Sequence, residues 1–262
     1  MVDYRDRGLQ YGDGLFETMC INDRAIRLFD YHLDRLYASC QRLKLNPPKR
    51  RILAGELCKL AARRSSGVLK LILTRGIGMR GYRPDAKARV TRIAALYAPP
   101  KNHSMLAGGL HRVRVCRLQL GINPQLAGMK TLNRLESVLA RSEWRDPRIV
   151  EGILLDADEN IVCGTMSNIF IRRRSLLMTP MMDRCGVAGV MRRWVIDQAP
   201  GLGLRVAERR IRWEELQAAN EVFMTNALMG IMSVGEIMFG RERLRLSSQA
   251  SAMQLKQGLG VL

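Results

Sequence analysis

Polar and apolar positions alternate over residues 15–29, and the alternation breaks at Asn22-Asp23, a dipeptide suited to a tight turn. LFETMCI and AIRLF therefore predict a β-hairpin. From Asp30 the period changes. Leu33, Leu36, Tyr37, Cys40 and Leu43 recur at helical spacing, Asp30 is a candidate N-cap, and Pro47-Pro48 ends a helix that reaches about Leu45. A second stripe, Ile52, Leu53, Leu57, Leu60 and Ala61, predicts a helix over about 50–64. Runs at Val68–Thr74 and Thr91–Tyr97 predict strands joined by the loop RGIGMRGYRPDAKA. APPKNHSMLAGG, with its prolines and glycines, predicts a linker at about 98–110.

Beyond the linker, the pattern predicts a strand at Arg112–Leu118, a loop to Met129 and a helix over about 131–144. Strands at 151–156 and 167–172 flank a turn at Asp156–Asn160, and a helix from Val187 to about Gln198 follows Gly186. Further strands are predicted near 204–208, 221–225 and 231–237, and a last helix from about Ser247. Strands outnumber helices and do not alternate with them regularly. That predicts an α+β fold in two parts, a smaller N-terminal domain over 1–104 and a larger one over 105–262, rather than a doubly wound sheet. Internal repeats and low-complexity tracts are absent from the sequence.

Composition adds limits. With 262 residues, 47% hydrophobic and 26% charged, the chain is ordinary globular material. A net charge of +19 suggests nucleic acid or an anionic membrane as partner. The cations are scattered, however: 35 of the 43 are arginines, and the densest runs are RRR at 172–174 and KRR at 49–51. Nucleic acid and membrane are therefore not expected as partners. Cysteines stand at 20, 40, 58, 116, 163 and 185 with no CxxC pair and no histidine spacing that holds zinc, so no metal is expected. The polar start MVDYRDRGLQYGDG predicts no signal peptide, and no apolar run approaches about 18 residues. Free thiols then predict a reducing cytoplasm.

Local chemistry is concentrated in a few places. Lys130, in AGMKTLNRLE, is one of eight lysines. A partly buried lysine is a nucleophile, Schiff-base former and general base; the competing reading is an exposed first-turn lysine. GVAGVMRR at 186–193 is a glycine-rich turn entering a helix, either an anion cradle or a plain helix start. Arg35 can grip a phosphate or lie solvated on its helix. RGIGMRGY at 75–82 lacks a following helix, so it is neither a Rossmann turn nor a P-loop. It is a hairpin loop, or a flap aiming Arg80 and Tyr82 at an anion. No serine has a nucleophile-elbow context.

Taken in order, DRGLQYGDGLFET (6–18), HLDRL (32–36), RGIGMRGY (75–82), GMKTLNRLE (128–136), GTMSNIF (164–170), GVAGVMR (186–192) and TNALMGIMSV (225–234) resemble the fold-type-IV pyridoxal-phosphate enzymes. That family includes branched-chain and D-amino-acid aminotransferases and aminodeoxychorismate lyases, and the KTLNRLE and TNALM runs look most like the lyases. The resemblance implies a two-domain fold with pyridoxal 5'-phosphate at the domain interface, a homodimer, and some pocket residues from the partner chain. It implies that Lys130 forms the Schiff base, that Arg35, Val190, Met191, Asn226 and Ala227 hold the phosphate, and that Thr18 assists proton transfer. Arg80 and Tyr82 would face the substrate.

The lyase reading implies conversion of 4-amino-4-deoxychorismate, a dicarboxylate, to 4-aminobenzoate and pyruvate for folate synthesis, the cofactor acting as electron sink. The alternatives are an aminotransferase of the same fold acting on D- or branched-chain amino acids, and a non-catalytic basic nucleic-acid-binding protein. Two departures stand out. The family usually places Glu five residues before the Asn matching Asn168, paired with the pyridine nitrogen; here that position is Cys163, which weakens the electron sink. Relatives also carry a first strand before the DRGLQYGDG run, whereas Met1 stands five residues before Asp6, implying a late start codon or a bare sheet edge.

Overall fold

The structure, a computed structural model, describes residues 2–85, 87–99 and 109–259. It divides into two compact units, Met1–Pro100 with Met129–Asn133, and Lys101–Gly128 with Arg134–Leu262. The linker expected at about 98–110 lies largely outside the described residues.

The first unit contains α1 (Arg7–Tyr11), β1 (Gly14–Asn22), β2 (Ala25–Ile26), α2 (Phe29–Leu43), α3 (Arg50–Ala61), β3 (Ser66–Thr74) and β4 (Thr91–Tyr97). Its strands form an antiparallel sheet in the order β2-β1-β3-β4. Asp23 and Arg24 both have positive φ, 48° and 66°, which matches the twist of the hairpin they close. Strand alternation then sorts the side chains. Leu15, Met19 and Ile21 of β1 and Leu69, Leu71 and Leu73 of β3 pack on Leu33, Leu36 and Cys40 of α2 and Leu53, Leu57 and Ala61 of α3. Phe16, Thr18 and Cys20 lie on the other face and are half-buried. Asp30 is not the N-cap of α2: the helix opens two residues earlier, after Leu28, and Asp30 Oδ1 accepts a hydrogen bond from Arg50 instead.

The second unit contains β5 (His111–Leu120), α4 (Leu135–Arg141), β6 (Ile149–Asp156), β7 (Ile161–Gly164), β8 (Asn168–Arg173), β9 (Leu176–Pro180), α5 (Val190–Gln198), β10 (Arg205–Arg209), α6 (Trp213–Gln217), β11 (Glu221–Asn226), β12 (Gly230–Phe239), β13 (Glu242–Arg245) and α7 (Ala250–Gly258). The sheet runs β10-β9-β8-β11-β12-β5-β6-β7, with β13 on β12. Pairing is parallel at β10/β9, β12/β5 and β5/β6 and antiparallel elsewhere. Val113, Ile153, Ile169, Ile171, Val222, Met224, Met232 and Val234 belong to one core, and Cys116, Ala140, Trp144, Leu154 and Cys163 to a second.

Several expected boundaries move. The helix expected over about 131–144 is only Leu135–Arg141, because residues 130–132 give their backbone groups to β1. The helix expected from Val187 begins at Val190, since Gly128 and Asn168 bind the backbone of 186–189. Between Asp156 and residue 168 lies an additional strand, β7, and the last helix starts at Ala250 rather than Ser247.

Candidate active site

In the first unit, Glu17 sits on the buried face of β1 among Leu15, Met19 and Ile21. His32 and Arg35, one turn apart on α2, converge on it. Arg35 Nε donates to Glu17 Oε1 at 2.8 Å and its Nη2 to Oε2 at 2.5 Å, while His32 Nδ1 lies 2.6 Å from Oε2. Burial raises the Glu17 carboxyl, but Arg35 and His32 overcome it and hold it at about 2. Burial also lowers the pKa of His32, more than the Glu17 hydrogen bond raises it. The ring is thus neutral and donates from Nδ1, since an ionised carboxylate only accepts. Its Nε2 is buried without a hydrogen-bond partner among the described residues.

Lys130 is half-buried and does not open a helix. Its carbonyl accepts from Phe16 N at 3.0 Å, Thr131 bridges to Leu15, and Leu132 N donates to Gly14 O at 3.0 Å. This edge pairing puts Lys130 on the Phe16 face of the sheet, with Nζ 4.2 Å from the Phe16 ring centroid. Lys70 Nζ lies 5.5 Å from the same centroid, and Lys70 is the cross-strand partner of Thr18. Lys130, Thr18, Phe16 and Lys70 thus share one sheet face. Arg80 and Tyr82 lie elsewhere in this unit, exposed on the loop between β3 and β4.

In the second unit, Asn168 positions the start of α5. Its Nδ2 donates to Val187 O at 2.8 Å, and its Oδ1 accepts from Gly189 N at 3.1 Å. Gly128 braces the same turn, donating to Gly186 O and accepting from Ala188 N. Gly186, at φ 82°, takes the left-handed conformation that the turn requires. The amides of Val190 and Met191 belong to the first turn of α5 and have no acceptor within the helix, which suits them to an anion. Register places Thr225 opposite Asn168. Asn226 Oδ1 then accepts from Leu228 N at 2.9 Å and Met229 N at 2.7 Å, fixing the turn that carries Ala227. Arg192 is committed to the fold by bonds to Pro180 O and Glu208.

Cys163 on β7 is buried, and burial pushes its thiol up to about 12, so it stays protonated at neutral pH. Glu151 is close enough to act on it electrostatically but is committed to the next loop. Its carboxylate accepts from the amides of Gly152, Thr165 and Met166 and the hydroxyls of Thr165 and Ser167. Among the described residues no group of three or more His, Cys, Asp or Glu side chains could hold a metal.

The sequence profile of the family amino-transferase class IV matches residues 14–237. The chain belongs to the class IV aminotransferase family. Among class IV relatives, it is 32% identical to an aminodeoxychorismate lyase of Vibrio harveyi, over 90% of this chain and 87% of that protein. It is 29% identical to a D-alanine aminotransferase of Listeria innocua, over 90% and 82%. Its structure is similar to the crystal structure of 4-amino-4-deoxychorismate lyase from Pseudomonas aeruginosa, with a TM-score of 0.92, 40% identity, and coverage of 98% of this chain and 95% of that one. The fold is accordingly the two-part α+β fold of class IV enzymes.

Sequence reasoning passed over Glu17, which orients Arg35, His32, which binds Glu17, and Asn168, which fixes the start of α5. Two signals were available: an acid on the apolar face of a strand, and His and Arg one helical turn apart in HLDRL.

Proposed function

We propose that this chain is a pyridoxal-phosphate-dependent lyase converting 4-amino-4-deoxychorismate to 4-aminobenzoate and pyruvate. The observation that carries the reading is the 40% identity, over nearly the whole chain, to the Pseudomonas aeruginosa lyase. Each unit carries donors that suit a phosphorylated aldehyde: in the first a half-buried lysine amine and a half-buried arginine held by a carboxylate, in the second the first-turn amides on α5. When bound, pyridoxal phosphate would supply an electron sink.

The residues divide the work. Arg35, oriented by Glu17, would hold phosphate oxygens through its guanidinium, and the amides of Val190 and Met191 and the Asn226-Ala227 turn would hold others. Lys130 Nζ binds the cofactor and afterwards takes the proton from the carbon that bears nitrogen. Thr18 shares the sheet face of Lys130, and its hydroxyl assists that proton transfer. Arg80 and Tyr82 bind the carboxylates of the substrate. Cys163 would stand at the pyridine nitrogen with a neutral thiol, so electron withdrawal would be weaker than with a carboxylate. Elimination tolerates this because its product ring is aromatic, and Cys163 thereby favours lyase over amino-group transfer. Cys163→Glu should raise transamination relative to elimination; a rise in elimination by orders of magnitude would contradict that role.

The protein works as a homodimer in the cytoplasm. On α4, Leu135 is 76%, Val138 60% and Leu139 57% exposed, an apolar stripe suited to a second copy. Six free thiols suit a reducing compartment, and among the described residues no helix is long and apolar enough to cross a membrane. The small dicarboxylate substrate needs few cations, so the +19 charge does not require a polyanion partner. The similarity to the D-alanine aminotransferase keeps a second reading in view. Incubation with aminodeoxychorismate should yield pyruvate and 4-aminobenzoate in equal amounts, and none with Lys130→Ala. Amino-group transfer to an oxo acid without pyruvate release would select the aminotransferase instead.

A further inference from the structure

We propose that Arg7 is a positioning residue that latches the loop presenting Arg80 and Tyr82, through its hydrogen bonds to the carbonyls of Gly81 and Tyr82. This rests on the reading of that loop as the substrate loop. Between β3 and β4 the chain carries Gly76, Gly78 and Gly81, and Gly76 and Gly81 have φ of 90° and 96°. Such a segment gains little conformational definition from its own sequence. Its tip is solvated, with Met79 87% and Tyr82 85% exposed. A defined position for Arg80 and Tyr82 must therefore be imposed from outside the loop.

Arg7 supplies it. The side chain is 4% exposed and belongs to α1, in the DRGLQYGDG run that the catalytic assignments leave unused. Nη1 donates to Gly81 O at 2.8 Å, Nη2 to Tyr82 O at 2.9 Å, and Nε to Asp13 Oδ2 at 3.0 Å. Asp13 is anchored in turn. It accepts from Arg75 Nε at 2.7 Å, and Arg75 donates to Leu43 O and Lys44 O at the end of α2. Around this fork the backbones also meet: Arg7 N donates to Gly76 O and Gly78 N to Arg5 O. Tyr11 adds its hydroxyl, accepting from Gly81 N at 3.2 Å, and its ring lies 5.5 Å from that of Tyr82.

The chemistry requires arginine. Three donors point in fixed, divergent directions to two adjacent carbonyls and a carboxylate, which a lysine ammonium on a flexible stem cannot reproduce. With those donors engaged and the side chain buried, Arg7 acts on substrate only through Arg80 and Tyr82. Its loss should therefore weaken substrate capture and spare both chemistry and cofactor binding.

The test uses Arg7→Lys, with Tyr11→Phe as a mild second variant that leaves the buried ion pairs intact. Amide hydrogen exchange over residues 78–85 reads the latch without any reference to activity. Steady-state kinetics with aminodeoxychorismate read its consequence. Arg7→Lys should speed loop exchange and raise KM, each by about tenfold, as expected for losing one to two net hydrogen bonds, with kcat and cofactor affinity within about twofold. Tyr11→Phe should move both in the same direction by less. Unchanged loop exchange in both variants would overturn the latch, as would faster exchange with unchanged KM. Faster exchange in a protein whose wild type does not turn over aminodeoxychorismate would keep the latch and overturn the lyase reading.

Discussion

Replacing Glu17 by Gln removes one buried charge from the centre of the first unit while keeping the side-chain size. Holding a carboxyl at about 2, against an ordinary value of 4.5, corresponds to about 3 kcal/mol of folding free energy at neutral pH. Removing one partner of a buried ion pair costs a similar amount, about 3–5 kcal/mol, because the Arg35 guanidinium is left without its counter-ion. The sign follows from the direction of the shift. A depressed carboxyl stabilises fully above its ordinary pKa of 4.5, and the stabilisation is lost as pH falls toward 2. His32 acts in the same sense: held below its ordinary 6.5, it makes the wild type less stable as pH drops past that value. Urea unfolding of wild type and Glu17→Gln should show a gap of about 3 kcal/mol at about pH 7, roughly halved at about pH 3. A gap under about 1 kcal/mol at neutral pH, or one that does not shrink on acidification, would show that the Glu17 carboxylate does not stabilise the fold as a buried ion pair.

Other perturbations probe the remaining parts. A Cβ on Gly189 would run into Asn168 Oδ1, so Gly189→Ala should dislodge the amide that fixes the start of α5. The cost should be about 1–2 kcal/mol in stability and a weaker grip on the cofactor phosphate, read by thermal melting with and without pyridoxal phosphate. The double variant Leu135→Asp, Leu139→Asp should shift sedimentation from dimer to monomer, since it places charges on the exposed stripe of α4. A dimer that survives both changes would place the interface elsewhere.

Much of the fold was legible, for reasons that also explain the misses. The hairpin, α2, α3 and strands β3 and β4 each declare themselves through a local period, and each was read correctly to within a few residues. The segment after Lys130 misleads because Leu132, Leu135, Val138 and Leu139 recur at helical spacing. Its first residues nevertheless pair with β1, a contact between segments more than a hundred residues apart that no local pattern reports. The same periodicity showed that α4 has an apolar face but not that this face is exposed. β7 escaped notice because all four of its residues are buried, so it lacks the alternation of a half-buried strand. Among the proposed site residues, Lys130, Arg35 and the start of α5 stand out by motif. Glu17 and His32 emerge only when strand and helix are brought together, although an acid at an apolar-face position was already an anomaly.

The central claim is that Lys130 carries pyridoxal phosphate. Purified protein supplied with the cofactor, reduced with borohydride and digested, tests it directly. The account predicts a yellow protein whose visible band bleaches on reduction and whose label maps to the peptide containing Lys130, with neither colour nor label in Lys130→Ala. A colourless protein, or a label on another lysine, would contradict it.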